Sequence, residues 1–150
     1  MSTTLNKRKI KTLREENPPE ANRLGINDLF TLVTTALEGI DAGFVGKVAK
    51  NLLIQQEEIA QILHLSSKTL RNYEIEHKKL NPTTSEQVLK LQLMAEKGKE
   101  VFGDPQAFLR WLRKPAYGLE DQIPMNLLQT SGGIDLIIEE LDRIAYGDFS

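Results

Sequence analysis

Hydrophobic residues recur along the chain at helical spacing, in blocks separated by short polar breaks, and no block alternates as a half-buried strand would. The first block predicts a helix over residues 27–38, with an apolar face formed by Ile26, Phe30, Val33, Leu37 and Ile40. Further helices are expected over residues 41–53, 84–102, 104–114 and 134–145, with a short apolar turn after Pro124. The pattern therefore predicts an all-α fold.

Residues 56–76 are typical of two short helices joined by a tight turn, a helix-turn-helix. The first helix, over residues 56–63, has Ala60 as a small inward residue at which a second helix can cross closely. In the second helix, Leu70 and Tyr73 are three residues apart and share one face, because a helix turns every 3.6 residues. We expect that face to pack back on the first helix.

The outward face of the second helix carries a cluster of polar and cationic side chains, namely Ser67, Lys68, Arg71 and Asn72. Arg pairs with guanine through two hydrogen bonds, Asn does the same with adenine, and Ser reaches a phosphate or a base edge. This set predicts a DNA-reading helix. The alternative is a helical hairpin of a bundle whose outer face is merely polar. The turn carries His64 where Gly is frequent, and His tolerates a left-handed backbone better than most residues.

The predicted helix over residues 84–102 has an unusually wide apolar face, formed by Val88, Leu89, Leu91, Leu93, Met94 and Ala95. A face of this width implies burial on two sides, such as packing within the chain together with a contact to a second copy. A homodimer would suit a DNA reader, because paired half-sites raise affinity.

Charge is distributed unevenly, although the net charge of the chain is only −2. Residues 115–150 hold seven acidic residues and one arginine, a net charge of −6, so residues 1–114 carry +4. A cationic front and an anionic rear favour two surfaces with different partners. We expect the carboxylates of the last helix, Asp135, Glu139 and Asp142, to lie on its solvated side.

Residues 1–24 form a basic segment with few apolar residues and the pair Pro18-Pro19, which predicts a flexible arm. Such an arm either touches the phosphate backbone or is simply solvated. The chain has no cysteine, no apolar run of the length that a membrane span needs and no signal-peptide pattern. We expect a protein of the reducing cytoplasm that is not attached to a membrane.

Catalytic and metal-binding patterns are missing from the sequence. His64 and His77 have no acidic partners at metal-ligand spacing, and no Ser lies in a nucleophile-elbow pattern. The stretch Ser131-Gly132-Gly133 before the last helix is more typical of a helix break than of an anion site. We expect no enzyme activity, no metal and no cofactor.

Residues 101–148 resemble the toxin-binding domain of the Xre/MbcA/ParS antitoxins. The matching landmarks keep their order and spacing over nearly the whole segment: Val-Phe-Gly at 101–103, Leu-Arg-Trp-Leu at 109–112, Pro115, the apolar turn at 124–128, Gly132-Gly133, and Arg-Ile-Ala-Tyr-Gly at 143–147. The preceding half is similar to the Xre-like helix-turn-helix of the same family, from which the chain departs at His64.

The resemblance implies the antitoxin of a RES/Xre type II toxin–antitoxin pair. Such a protein dimerises, binds a RES-domain toxin that degrades NAD and represses its own operon through operator DNA. The implied division is a flexible basic arm over residues 1–24, a helix-turn-helix and dimerisation region over 25–100, and a toxin-binding domain over 101–150. The positions carried over as toxin-binding are Arg143, Tyr146, Gly147 and Asp148.

Two other functions remain compatible with the sequence. One is a free-standing transcriptional repressor without a toxin, in which the C-terminal part serves dimerisation only. The other is an interaction protein whose helix-turn-helix no longer reads DNA.

Overall fold

The computed structural model describes residues 26–147, which form seven α-helices and two short 3₁₀ turns. The α-helices are α1 (Ile26–Glu38), α2 (Gly43–Leu52), α3 (Gln56–Ile62), α4 (Ser67–Ile75), α5 (Pro82–Phe102), α6 (Pro105–Leu112) and α7 (Ser131–Ala145), and the 3₁₀ turns are Tyr117–Leu119 and Pro124–Leu127. Among these residues the only extended pairing is two isolated bridges, Asp41 with Lys79 and Ala116 with Gln122. The all-α prediction is confirmed.

Local capping residues set where several helices begin. Ser66 accepts a hydrogen bond from the Thr69 amide at 3.0 Å, and Asp104 accepts one from the Ala107 amide at 2.7 Å. Each bond satisfies one of the amides that the first turn of a helix leaves without a partner. The start of α5 differs from the prediction, because Asn81 is its cap and Pro82 its first residue. Proline loses nothing at that position, since its missing amide has no helical partner there.

The long helix α5 lies at the centre of the fold and packs against α1, α2, α6 and α7. Val88, Leu91 and Met94 are fully buried in one hydrophobic core that extends from Ile40 to Leu141. Helices of the same chain therefore cover Val88, Leu91, Met94 and Ala95 of the wide apolar face, whereas Leu89 and Leu93 are only half-buried. The contact of this face with a second copy stays a prediction.

Helix α1 is confirmed, but the side of it that is buried differs from the prediction. Leu32 and Ala36 pack inward, whereas Phe30 and Leu37 of the predicted stripe are 62% and 65% exposed. Thr35 is also buried, at little cost, because its hydroxyl donates to the Thr31 carbonyl at 2.7 Å within the same helix. The exposed side of α1 thus carries larger apolar side chains than its buried side.

Helix α7 packs on α5 through Ile134, Ile137, Ile138 and Leu141, as its hydrophobic row predicts. The prediction for its carboxylates was wrong at Asp142, whose side chain is only 22% exposed, whereas the Asp135 side chain keeps 47% exposure although it is paired. Both lie toward α5, where Asp135 accepts from buried Lys90 at 2.8 Å and Asp142 pairs with buried Lys97. The two lysines are seven residues apart and so are the two aspartates, so the pairs stack along the helix contact. Glu139 is exposed, as expected.

Some of the sequence-based expectations concern residues outside the described range. These are the basic arm over residues 1–24 and the position Asp148. Among the helices of residues 26–147, none combines the length and apolar content that crossing a membrane requires.

Candidate functional site

Helices α3 and α4 form the predicted helix-turn-helix. Ala60 and Leu70 are fully buried where the two helices cross, and Tyr73 is half-buried beside them. In the turn, His64 adopts a left-handed backbone with φ of 61°, and the Leu65 amide donates to the Ala60 carbonyl at 2.9 Å. The turn therefore closes as predicted, with a non-glycine residue in a conformation that L-residues adopt at a cost of about 1–2 kcal/mol.

The outward edge of α4 presents the residues proposed to read DNA. Lys68, Arg71 and Asn72 are exposed and Ser67 is half-buried, all within the first two turns of the helix. Leu70, between them in sequence, points into the core, and it fixes the rotation of α4 about its axis. The structure thus brings the four side chains to one accessible edge, and their contact with DNA stays a prediction.

Three polar contacts hold the helix-turn-helix from behind, and sequence reasoning missed all of them. The buried side chain of Gln87 donates to the Ile62 carbonyl at 3.0 Å and to the Leu128 carbonyl at 2.9 Å. His64 Nε2 lies 2.9 Å from the Gln129 carbonyl. Both contacts link the end of α3 to the segment that precedes α7.

The third contact is a bidentate pair between Arg113, just after α6, and Glu58 of α3. The two guanidinium nitrogens of Arg113 lie 2.9 and 2.8 Å from the Glu58 carboxylate oxygens. The hydrogen bonds to Glu58 raise the pKa of Arg113 above its ordinary value; burial opposes this rise and the negative charge of Glu58 adds to it. The fork geometry of the guanidinium fixes the orientation of α3 relative to α6.

The C-terminal end of α7 carries the residues proposed to contact a toxin. Arg143 is exposed, and its Nε donates at 2.7 Å to Glu140, three residues earlier on the same helix. Tyr146 is 54% exposed at the end of the helix, and Gly147 follows with φ of 71°. Arg143, Tyr146 and Gly147 are adjacent on the surface end of α7, and Asp148 lies outside the described residues.

Two exposed apolar residues near this end of the fold were not singled out from the sequence. Tyr117 is 86% exposed in the first 3₁₀ turn, and Leu136 is 49% exposed on α7. A lone aromatic in a loop and one leucine outside a helical row carry no signal that separates a binding residue from a solvated one.

Within residues 26–147 no three His, Cys, Asp or Glu side chains come together in a way that could hold a metal ion. The pairing of Lys90 and Lys97 with Asp135 and Asp142 also means that two of the negative charges counted in residues 115–150 are neutralised by α5, and Arg143 pairs with Glu140 within that segment. Within residues 115–147 the remaining exposed acids are Glu120, Asp121 and Glu139.

Comparison with known proteins places both halves of the chain in one family. Residues 31–92 match the model of the antitoxin Xre-like helix-turn-helix domain, and residues 97–147 match that of the antitoxin Xre/MbcA/ParS C-terminal toxin-binding domain. No curated protein sequence matches the chain.

Among solved structures, the chain is similar to a chain of the M. tuberculosis MbcT-MbcA toxin-antitoxin complex, with 21% identity and a TM-score of 0.58. The match covers 73% of this chain and 96% of that one, and it shows a shared fold. With the helix-turn-helix and the toxin-binding domain both matched and in the same order, the chain belongs to the Xre/MbcA/ParS family of antitoxins.

Proposed function

We propose that this protein is the antitoxin of a RES-domain toxin that degrades NAD, and that it represses its own operon. One observation carries the proposal. The chain presents two accessible surfaces, the edge of α4 and the end of α7, and each lies in the part of the chain that a different family model matches. A protein with a DNA-reading edge and a toxin-contacting end can act on both partners in the cytoplasm without chemistry of its own.

Operator recognition is assigned to the α4 edge. Arg71 and Asn72 have the donor patterns that read guanine and adenine in the major groove, and Lys68 and Ser67 supply phosphate contacts. We expect His64 to stay out of the DNA groove, because its ring faces the Gln129 carbonyl. The left-handed turn closes without glycine, and this supports a functional helix-turn-helix despite the departure from the family pattern.

Toxin inhibition is assigned to Arg143, Tyr146, Gly147 and Asp148. Tyr and Arg are the residue types that most often dominate binding energy at protein interfaces, and both are exposed here at the end of a well-packed helix. We expect this end and the following tail to cover the NAD pocket of the toxin. The neutralised carboxylates of α7 make side-chain complementarity, rather than a strong negative field, the main source of affinity.

Dimerisation is assigned to the exposed side of α1 instead of α5. Leu29, Phe30, Val33 and Leu37 form an apolar stripe along this helix, although smaller residues face the core. A second copy is the occupant that fits, because a helix-turn-helix with one reading helix reads paired half-sites as a symmetric dimer. We expect Phe30→Asp to give a monomer by light scattering, with weaker operator binding and an intact fold by circular dichroism.

Co-expression with the RES toxin encoded beside the antitoxin tests the inhibitory role. The full chain should restore growth and cellular NAD, whereas a variant lacking residues 143–150 should restore neither. Undiminished rescue by that truncated variant would show that residues 143–150 are not needed to inhibit the toxin. Failure of the full chain to rescue, combined with operator binding, would favour the free-standing repressor.

Gel shift with the upstream DNA tests the repressor role. Arg71→Ala should weaken specific binding by about 1–3 kcal/mol, the expected loss for one base contact. Lys47→Ala, an exposed lysine on α2 outside the reading edge, is the matched control and should lose much less. Arg71→Ala should still inhibit the toxin, which would show that the two functions are separable. Equal shifts for both variants would mean that α4 is not the reading helix.

A further inference from the structure

Three of the large hydrophobic residues within residues 97–147 are exposed, and they lie on α7, at its end or in the 3₁₀ turn that packs on it, on the same part of the surface as a buried carboxylate of that helix. These are Tyr117, Leu136 and Tyr146, and the carboxylate is that of Glu140, which is 8% exposed. Leu136 precedes Glu140 by four residues and Arg143 follows it by three, so all three lie on one face of α7. Tyr146 follows Arg143 by three residues and extends that face toward the helix end.

The first 3₁₀ turn places Tyr117 beside this face. A Cβ added to Gly118 would lie 1.8 Å from Glu140 Oε2, so the backbone of residue 118 rests directly on the Glu140 carboxylate. The same carboxylate accepts from Arg143 Nε at 2.7 Å on its other side. The 3₁₀ turn that carries Tyr117 therefore packs on the Glu140–Arg143 pair through its neighbour Gly118. We call Tyr117, Leu136, Arg143 and Tyr146 the Tyr117 patch.

The turn that carries Tyr117 is held rigidly. The Ala116 carbonyl accepts from the amides of Leu119 and Asp121, both at 3.0 Å, and Ala116 pairs again with Gln122. Two consecutive non-glycine residues, Glu120 and Asp121, have left-handed backbones with φ of 56° and 62°. Backbone strain of this kind persists only where the surroundings enforce it. Buried Ala116 and Leu119 anchor the turn, and Tyr117 between them is left 86% exposed.

Because the backbone at Tyr117 is already fixed, a partner that buries this tyrosine has only its side-chain torsions to order, which favours a strong contact. We infer that Tyr117 and Leu136 are anchors of the toxin contact, and that the Tyr117 patch docks the RES toxin through a toxin surface with an apolar hollow and a carboxylate near Arg143. The toxin is the expected partner of this patch, because the patch lies in the segment that matches the toxin-binding domain and includes the proposed contact residues Arg143 and Tyr146. This inference rests on the proposed function and adds Tyr117 and Leu136 to the proposed contact with the toxin.

Binding of purified antitoxin variants to the RES toxin, measured by calorimetry, tests the inference. Tyr117→Ala should weaken toxin binding by about 30-fold, as expected for an interface hot spot, and Leu136→Ala by about 5-fold or more. Ile75→Ala is the matched control, because Ile75 is 70% exposed but lies on α4 away from the patch, and it should change toxin affinity by less than about 2-fold. Operator binding and melting temperature of Tyr117→Ala should equal those of the parent chain.

Separate results decide between this inference and the proposed function. Loss of toxin binding by Tyr117→Ala with unchanged operator binding supports the inference. Affinity within about 2-fold of the parent for both Tyr117→Ala and Leu136→Ala, while removal of residues 143–150 abolishes binding, would overturn the patch and leave the proposed function standing. A parent chain that binds operator DNA but not the toxin would overturn both. Equal weakening of toxin and operator binding by Tyr117→Ala would show a structural role and would also overturn the inference.

Discussion

The two ion pairs between α5 and α7 should contribute unequally to stability, so neutralising Asp142 should cost more than neutralising Asp135. Lys97 and Asp142 have side chains that are 6% and 22% exposed, whereas Asp135, the partner of Lys90, is 47% exposed. Lys90 also has Glu86 within 3.9 Å as a second carboxylate. Breaking a buried pair costs about 3–5 kcal/mol and breaking an exposed one about 0–1 kcal/mol. Asp142→Asn should therefore cost about 3 kcal/mol, at the lower end because Asp142 is partly solvated, and Asp135→Asn about 1 kcal/mol.

Urea unfolding followed by circular dichroism measures these losses directly. With a slope of about 2 kcal/mol per molar urea, Asp142→Asn should lower the midpoint by about 1.5 M and Asp135→Asn by about 0.5 M. Replacing both partners, with Lys97→Met and Asp142→Leu, should recover much of the loss, because the buried ammonium that has lost the Asp142 carboxylate is then removed as well. If Asp135→Asn proves as costly as Asp142→Asn, or if neither shifts the midpoint, burial of the pair is not what sets its contribution.

Three further predictions concern single positions and are read from the same unfolding curves. Gly133→Ala should cost about 1–3 kcal/mol, because its Cβ would lie 1.8 Å from the Leu127 carbonyl oxygen, whereas Gly132→Ala meets nothing within 4 Å and should gain about 0.5–1 kcal/mol as a better helix former. Equal effects of the two substitutions on stability would refute the close approach of Gly133 to the Leu127 carbonyl. At the left-handed turn, His64→Ala should be less stable than His64→Gly by about 1–2 kcal/mol, because both lose the ring contact but only alanine keeps the backbone strain. Arg113→Gln should cost about 1 kcal/mol or less, since the Arg113 side chain is 46% exposed and water screens the pair. Folding raises the pKa of the Arg113 guanidinium, so its charge contributes its full stabilisation at every pH below the pKa of the unfolded state. The contribution of this charge to the free energy of unfolding should therefore be the same at pH 7 and pH 9.

The helix-turn-helix was predictable because its signals are local. The small residue at Ala60 and the inward Leu70 act within a few residues of the turn, and each has the predicted role in the structure. The cap at Ser66 is equally local. The exposure of Lys68, Arg71 and Asn72 then follows from helical periodicity. The contact of these residues with DNA depends on a partner, and the sequence can only show that their chemistry is suitable.

The buried side of α1 and the ion pairs of the α7 carboxylates were not predictable from hydrophobicity alone. Buried Thr35 satisfies its hydroxyl within its own helix, so a stripe that looks polar packs at low cost while Phe30 and Leu37 stay outside. Lysines are almost never buried unless paired, and the partners of Lys90 and Lys97 lie 45 residues further along the chain. The equal separation of the two pairs is a signal that the sequence contained, but it can be recognised only once α5 and α7 are placed side by side.

The two proposed binding surfaces are mounted on one packed core, and this explains why surface variants should separate their functions. Glu58 and His64 belong to the segment that matches the helix-turn-helix model, and their partners Arg113 and Gln129 belong to the segment that matches the toxin-binding model. None of these contacts involves Arg71 or Tyr117, so removing either side chain leaves the relative position of α4 and α7 unchanged. Gln87 is different, because its buried amide bonds to a carbonyl in each segment. Loss of this side chain leaves two buried carbonyls without their shared donor, at a cost of about 1–3 kcal/mol each. A defect there should therefore affect both surfaces together.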